Sequence, residues 1–140
     1  MTRGPFYPIL YPTMKRNLIH IVYPAEFSMT YAVTADEGTS VTSLLEQAFA
    51  AWNHGSDQEC AQFLDSRKRS MCVGDYVGVN GQFYRCEPMG WTGVTWQQVL
   101  DFEAKVAAHE DYGHHGAWFA MQCLLQEEND LACQFTEQVA

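Results

Sequence analysis

The densest run of reactive atoms in this 140-residue chain is His109-Glu-Asp-Tyr-Gly-His-His115. Its three imidazoles and two carboxylates are donor types that zinc and other divalent ions take, so a small metal-dependent enzyme using this segment is one reading. The spacing argues against a ready-made site. H-x4-H-H does not place two histidines on one helical face, and it is not the H-E-x-x-H of zinc proteases. Gly113 marks the segment as a junction between helices, where solvated histidine and acidic residues are ordinary. The five thiols, Cys60, Cys72, Cys86, Cys123 and Cys133, are the next candidates. No neighbour in sequence fixes a base beside any of them, and Cys123 and Cys133 fall in apolar helical contexts that suit small core residues. G-x-S-x-G, Walker and dinucleotide-binding glycine patterns are missing, and V-G-V-N-G lacks the following helix that phosphate binding needs. A third set is Arg67-Lys68-Arg69 with Tyr76, Phe83 and Arg85, which suggests a regulatory nucleic-acid ribbon with cations for phosphates and aromatics for stacking.

The elements that must position these residues read as α+β. Residues 1–16 form a flexible Pro-rich arm, and the chain from Met14, KRNLIHIVYP, looks like a natural beginning; residues 17–140 read as a single domain. Asn17 to Tyr23 is β-branched and aromatic and Pro24 ends it, which predicts a strand. Ser28 to Ala35 alternates as a second strand, closed by the Asp36-Glu37-Gly38 turn. Ser43 to Glu46 and Ser56 to Glu59 match the capping box, the first opening a helix with Leu44, Leu45, Ala48, Phe49 and Trp52 on one face, ended by Gly55. A β-hairpin at about 72–87 follows, because Asn80-Gly81 supplies the two positive φ angles of a type I′ turn. That turn pairs Val79 with Gln82, Val77 with Tyr84 and Asp75 with Cys86, and sends Cys72 and Cys86 to opposite faces. Thr95 to Gln98 is a third capping box, heading a helix with Trp96, Val99, Leu100, Val106 and Ala107 as its stripe. Ala117 to Gln126 is apolar almost all round, and Leu131, Phe135 and Val139 continue the pattern. One bent helix or two both fit. The expected architecture is a small antiparallel sheet with helices on one side and a helical C-terminal part.

Composition bounds the function classes. Apolar residues at 47% and aromatics at 14% fit a globular core. Five cysteines, an odd number without C-x-x-C, favour reduced thiols and a cytoplasmic location. Seventeen acids against eight bases give a net charge of -9, which disfavours bare nucleic acid and anionic membranes as partners. From Met89 onward eight acids face one base, Lys105, so this third of the chain holds seven of the nine net negative charges. Asp101, Glu110, Asp111, Glu127, Glu128 and Asp130 are the candidate partner-binding residues: carboxylates on rigid helices imitate a phosphate array and compete for a basic groove. Neither catalytic residues nor a cofactor are assigned.

Arg69 to Trp91, RSMCVGDYVGVNGQFYRCEPMGW, resembles a segment of YodL-like and related small proteins of phages, plasmids and integrative elements. Arg69, Ser70, Val73, Gly74, Asp75, Gly81, Tyr84, Cys86, Gly90 and Trp91 carry the match, and Cys72 stands where a serine is usual. YAVTADE, Tyr31 to Glu37, also looks like the start of such proteins. The resemblance implies a setting and no catalytic residues. Small acidic proteins of mobile elements are often counter-defence factors, of anti-CRISPR or anti-restriction type, that occupy the nucleic-acid-binding surface of a host complex. Asp75 and Arg85 are then packing or partner contacts.

Overall fold

The computed structural model describes the backbone of residues 13–139 and the side chains of residues 13–132. Residues 1–12, most of the expected arm, lie outside the described residues, and Met14 to Arg16 are already strand. The chain runs β1 (Met14–Tyr23), β2 (Phe27–Asp36), α1 (Val41–Ala51), α2 (Ala61–Ser66), β3 (Tyr76–Val79), β4 (Gln82–Cys86), β5 (Trp91–Val94), α3 (Trp96–Ala108), α4 (Tyr112–His115) and α5 (Ala117–Val139). The strands form one antiparallel sheet in the order β2-β1-β3-β4-β5. This is an α+β fold.

Helices cover both faces of the sheet, not one. Ile19, Ile21, Tyr23, Val77 and Val79 pack with Leu44, Leu45, Ala48, Trp52 and Phe63 from α1 and α2. Val22 and Tyr76, from the opposite face, pack with Val99, Phe102, Val106, Ala117, Ala120 and Met121 from α3 and α5. β3 and the second half of β1 are therefore buried on both sides, which demands apolar runs and not alternation; β3 is buried at all four positions and β1 from Ile21 to Tyr23. Edge strand β2 alternates along its whole length, because only one of its faces is covered. Trp52 anchors the first core. It is fully buried, its ring lies 5.3–6.1 Å from those of Phe63, Phe27, Tyr23 and Tyr31, and its indole N–H donates to the Tyr31 hydroxyl at 3.0 Å. Burial of an indole that size contributes about 4–6 kcal/mol.

The hairpin has the expected register, with φ of 50° at Asn80 and 86° at Gly81. Asn80 does more than tolerate the turn. Its carboxamide oxygen accepts from Leu18 N–H at 2.9 Å and its Nδ2 donates to the buried Asn17 at 2.9 Å, tying the turn to β1. Gly78 lets β1 and β4 close over it, since a Cβ there would lie 2.7 Å from Phe83 Cε1 and 3.1 Å from His20 Cβ.

Two of the three helix starts differ from the capping-box pattern. The N-cap of α1 is Ser40, whose hydroxyl accepts from Ser43 N–H at 3.1 Å, so Ser43 lies inside the helix. Ser56 and Glu59 do bond to one another and to nearby N–H groups, but they build a turn, and α2 begins later behind Cys60. The Thr95–Gln98 box forms as expected. Strand β5 adds a fifth strand beyond the expected elements. The last helical segments join into one 23-residue helix, α5.

Candidate functional site

The stretch from Arg69 is an internal bolt. Asp75 is fully buried and takes both arms of the Arg69 guanidinium, at 2.8 and 2.9 Å. The same carboxylate accepts Cys72 N–H at 2.8 Å. Arg69 also donates to Glu26 at 3.1 Å, lies 4.1 Å above the Tyr23 ring, and its carbonyl accepts the Tyr23 hydroxyl at 2.9 Å. Burial raises the Asp75 carboxyl above its ordinary value, with the Arg69 fork and the Cys72 N–H pulling the other way. Burial also works against the Arg69 charge, but the bonds and charge of Asp75 outweigh it and hold the guanidinium above its ordinary value. Ser70 accepts His54 N–H at 2.9 Å. Gly74, at φ +96°, lies where a Cβ would meet Leu125 and Met121 of α5 at 3.0–3.1 Å. These residues hold the loop before β3 between both helical layers. Asp75 is a packing residue with no exposed surface for a partner.

The nucleic-acid ribbon loses most of its parts to the same packing, though Arg67 stays exposed and Phe83 half-buried. Of the basic trio, Arg67 is exposed at the left-handed end of α2, Lys68 lies 5.6 Å from the Phe27 ring, and Arg69 is consumed as described. Tyr76 is buried. Arg85 is held by Glu128 at 3.2 Å and Glu87 at 3.7 Å and lies over the Phe102 ring at 5.2 Å.

Cys60, Cys72, Cys86 and Cys123 are free thiols. Burial is the main reason the Cys72 thiol is pushed up to about 11 and the Cys86 thiol to about 12, so neither is an activated nucleophile. Both line a cleft of about 390 Å³ with Phe49, Val73, Pro88 and Trp91. A second cleft of about 320 Å³ lies between β2 and α1, lined by Tyr31, Val33, Leu44, Gln47 and Cys60.

The acidic candidates sit on α3, the α3–α4 turn and α5. His109, which ends α3, places Nε2 3.5 Å from Glu127 Oε1 and Nδ1 3.6 Å from Asp111 Oδ2. Through it Asp111 and Glu127 are gathered into one corner, with Glu110 beside them in the turn. Asp101 lies two turns earlier on α3, its carboxylate bonded to Gln97 at 2.8 Å. Asp130 lies along α5 and accepts from Gln126 at 3.0 Å. Glu128 is partly neutralised by Arg85. Cys123 of α5 completes the corner, its Sγ 3.7 Å from Asp111 Oδ2. Sequence reasoning missed this thiol, because only the packing of α4 on α5 carries it across the fourteen residues from His109. His114 and His115 do not join the corner: the His115 ring lies against Phe119, at 4.8 Å.

No protein-family model, curated protein or solved structure matches this chain. Among the described residues no helix is long and apolar enough to cross a membrane.

Proposed function

We propose that this protein is a non-enzymatic inhibitor of counter-defence type, working in the cytoplasm of a bacterial host. It docks through its acidic α3–α5 side onto the basic nucleic-acid-binding surface of a host defence protein or ribonucleoprotein complex. The observation that carries the reading is the division of labour along the chain. Arg69, Ser70, Asp75, Asn80 and Arg85 of the Arg69–Trp91 stretch are spent on internal contacts, whereas Asp101, Glu127 and Asp130 stand exposed on helices and Glu110 stands exposed in the turn after α3. Lys105 is the one base from Met89 to Ala140. Carboxylates fixed on helices lose little freedom on docking and compete with phosphates for arginine and lysine. The resemblance of Arg69–Trp91 to mobile-element proteins supplies the setting and the target class.

The test is capture from bacterial lysate on immobilised protein, with and without nuclease. The expected result is retention of a CRISPR or restriction complex that survives nuclease. The triple variant Asp101→Lys, Glu110→Lys, Asp130→Lys should weaken it at least about tenfold, the effect of losing even one close charged pair at about 1.5 kcal/mol, with an unchanged circular dichroism spectrum. Retention by the folded triple variant at full strength, or capture of nucleic acid alone, refutes the reading.

A further inference from the structure

The corner formed by His109, Asp111 and Cys123 holds a second property, which rests on contacts that the docking reading does not use. We propose that these three residues form a binding site for one borderline divalent ion, zinc foremost, with Glu127 orienting the His109 ring from outside.

The geometry is the first argument. One ligand atom from each residue can be chosen so that all three lie within 4.8 Å of one another. Two of the separations are 3.6 Å, His109 Nδ1 to Asp111 Oδ2, and 3.7 Å, Cys123 Sγ to Asp111 Oδ2. A tetrahedral ion with bonds of about 2.0 Å to nitrogen and oxygen and 2.3 Å to sulfur sets its ligand atoms about 3.3–3.5 Å apart. Small side-chain movements close the set.

The Asp111 carboxylate gives a second argument. The residue precedes α4 in a helical backbone conformation, φ −80° and ψ −12°, and makes no capping bond. Its carboxylate lies instead toward the imidazole and the thiol. His109 supplies the third. Its Nδ1 accepts the Asp111 N–H at 3.2 Å, which leaves the ring proton on Nε2, facing Glu127 at 3.5 Å. A carboxylate on the far nitrogen is the arrangement that fixes the tautomer and strengthens a metal-ligating histidine. The ion takes over the Nδ1 lone pair from the Asp111 N–H.

Ligand chemistry selects the metal. Thiolate and imidazole disfavour magnesium and calcium, which take oxygen ligands, and suit zinc with a carboxylate as third ligand. Three protein ligands leave a fourth position for water. Binding exchanges the Cys123 thiol proton for the ion, so the corner gains one positive charge net. It also staples the α3–α4 turn to α5. His109 is 12% exposed and Asp111 31%, so an ion reaches the site without opening the core.

The experiment uses full-length protein without a histidine tag, stripped by chelator and titrated with zinc against a chromophoric chelator, then with cobalt. The expected result is one equivalent bound, and a cobalt adduct with a thiolate-to-metal charge-transfer band. Cys123→Ser removes the band, and His109→Gln and Asp111→Asn each weaken zinc binding by at least about tenfold. Glu127→Gln weakens it by about 10–100-fold, the usual loss for such an outer carboxylate. His114→Gln with His115→Gln leaves it unchanged. Circular dichroism of each stripped variant separates loss of a ligand from loss of fold. The proposal is overturned by wild-type protein that binds no more zinc than folded Cys123→Ser. It is equally overturned by a charge-transfer band that persists in that variant, or by loss of binding in the His114, His115 double variant.

Discussion

Removing one partner of the Arg69–Asp75 pair is the sharpest test of how this fold is held. Asp75 has no exposed surface, and Arg69 is 22% exposed, so the pair works in a largely dry environment. Asp75→Asn keeps the shape but takes away the charge that two guanidinium arms and the Cys72 N–H address. Breaking a buried pair from one side costs about 3–5 kcal/mol, a large fraction of a total stability of about 5–15 kcal/mol. With a urea slope of about 2 kcal/mol per molar, the unfolding midpoint should fall by about 1.5–2.5 M. Arg69→Met should do comparable damage, because it strands a carboxylate in the core. The double variant Arg69→Met, Asp75→Leu strands nothing, so it should be far more stable than the sum of the two losses. Urea unfolding of all four proteins by circular dichroism completes the cycle. A midpoint shift under about 0.5 M for Asp75→Asn, or losses that simply add in the double variant, would refute the claim that the pair is a coupled internal bolt.

Two further outcomes follow from packing. Cys72 and Cys86 should resist alkylation at pH 8 in the folded protein and react quickly in urea, because burial pushes their thiols up to about 11 and 12; mass spectrometry of labelled peptides reads this, and equal rates in both states would contradict it. Since these folded-state values are raised, the stabilisation they represent is complete below about pH 9, the thiols' ordinary value, and is lost as pH rises toward 11–12. Gly78→Ala should cost about 1–3 kcal/mol by thermal or urea unfolding, because the new methyl would overlap Phe83 across the hairpin; a neutral effect would show that the ring moves aside freely.

Local chemistry was the legible part of the sequence. Asn80-Gly81 and the Thr95–Gln98 box declare themselves because the residues that matter are adjacent, and both formed as read. At α1 the template misled. Ser43 and Glu46 match a capping box, yet Ser40, with no acid three residues on, is the cap; a hydroxyl at either place suits the motif, and the packing of Leu44 and Leu45 on the sheet decides. Strand β5 hid because its four residues, Trp-Thr-Gly-Val, include a glycine and show no long alternation. The second helical layer was written in Tyr76 to Val79 and in Ile21, Val22 and Tyr23, since runs without a polar partner face signal burial on both sides.

The candidate site was harder to read for a structural reason. Histidines 114 and 115 draw attention as a pair, but the residues that meet are His109 and Asp111 on one segment and Cys123 and Glu127 on the next. The latter two stand four apart, on one side of α5, and α5 packs against α3 and α4. A search for ligand spacing within one segment fails at such a corner, whereas i, i+4 spacing on a second helix points to it once the helices are known to be neighbours. Asp111 and Glu127 then belong to two proposals, a partner-facing carboxylate surface and a metal site. The two oppose each other, because a bound ion that releases one proton adds net positive charge where the partner's basic groups would arrive. Capture by the protein should therefore be stronger after chelator treatment than after loading with zinc. Asp101→Lys, Glu110→Lys and Asp130→Lys should act on capture while leaving the zinc stoichiometry at one. An equal response of capture in stripped and loaded protein would show that the metal corner lies outside the docking surface.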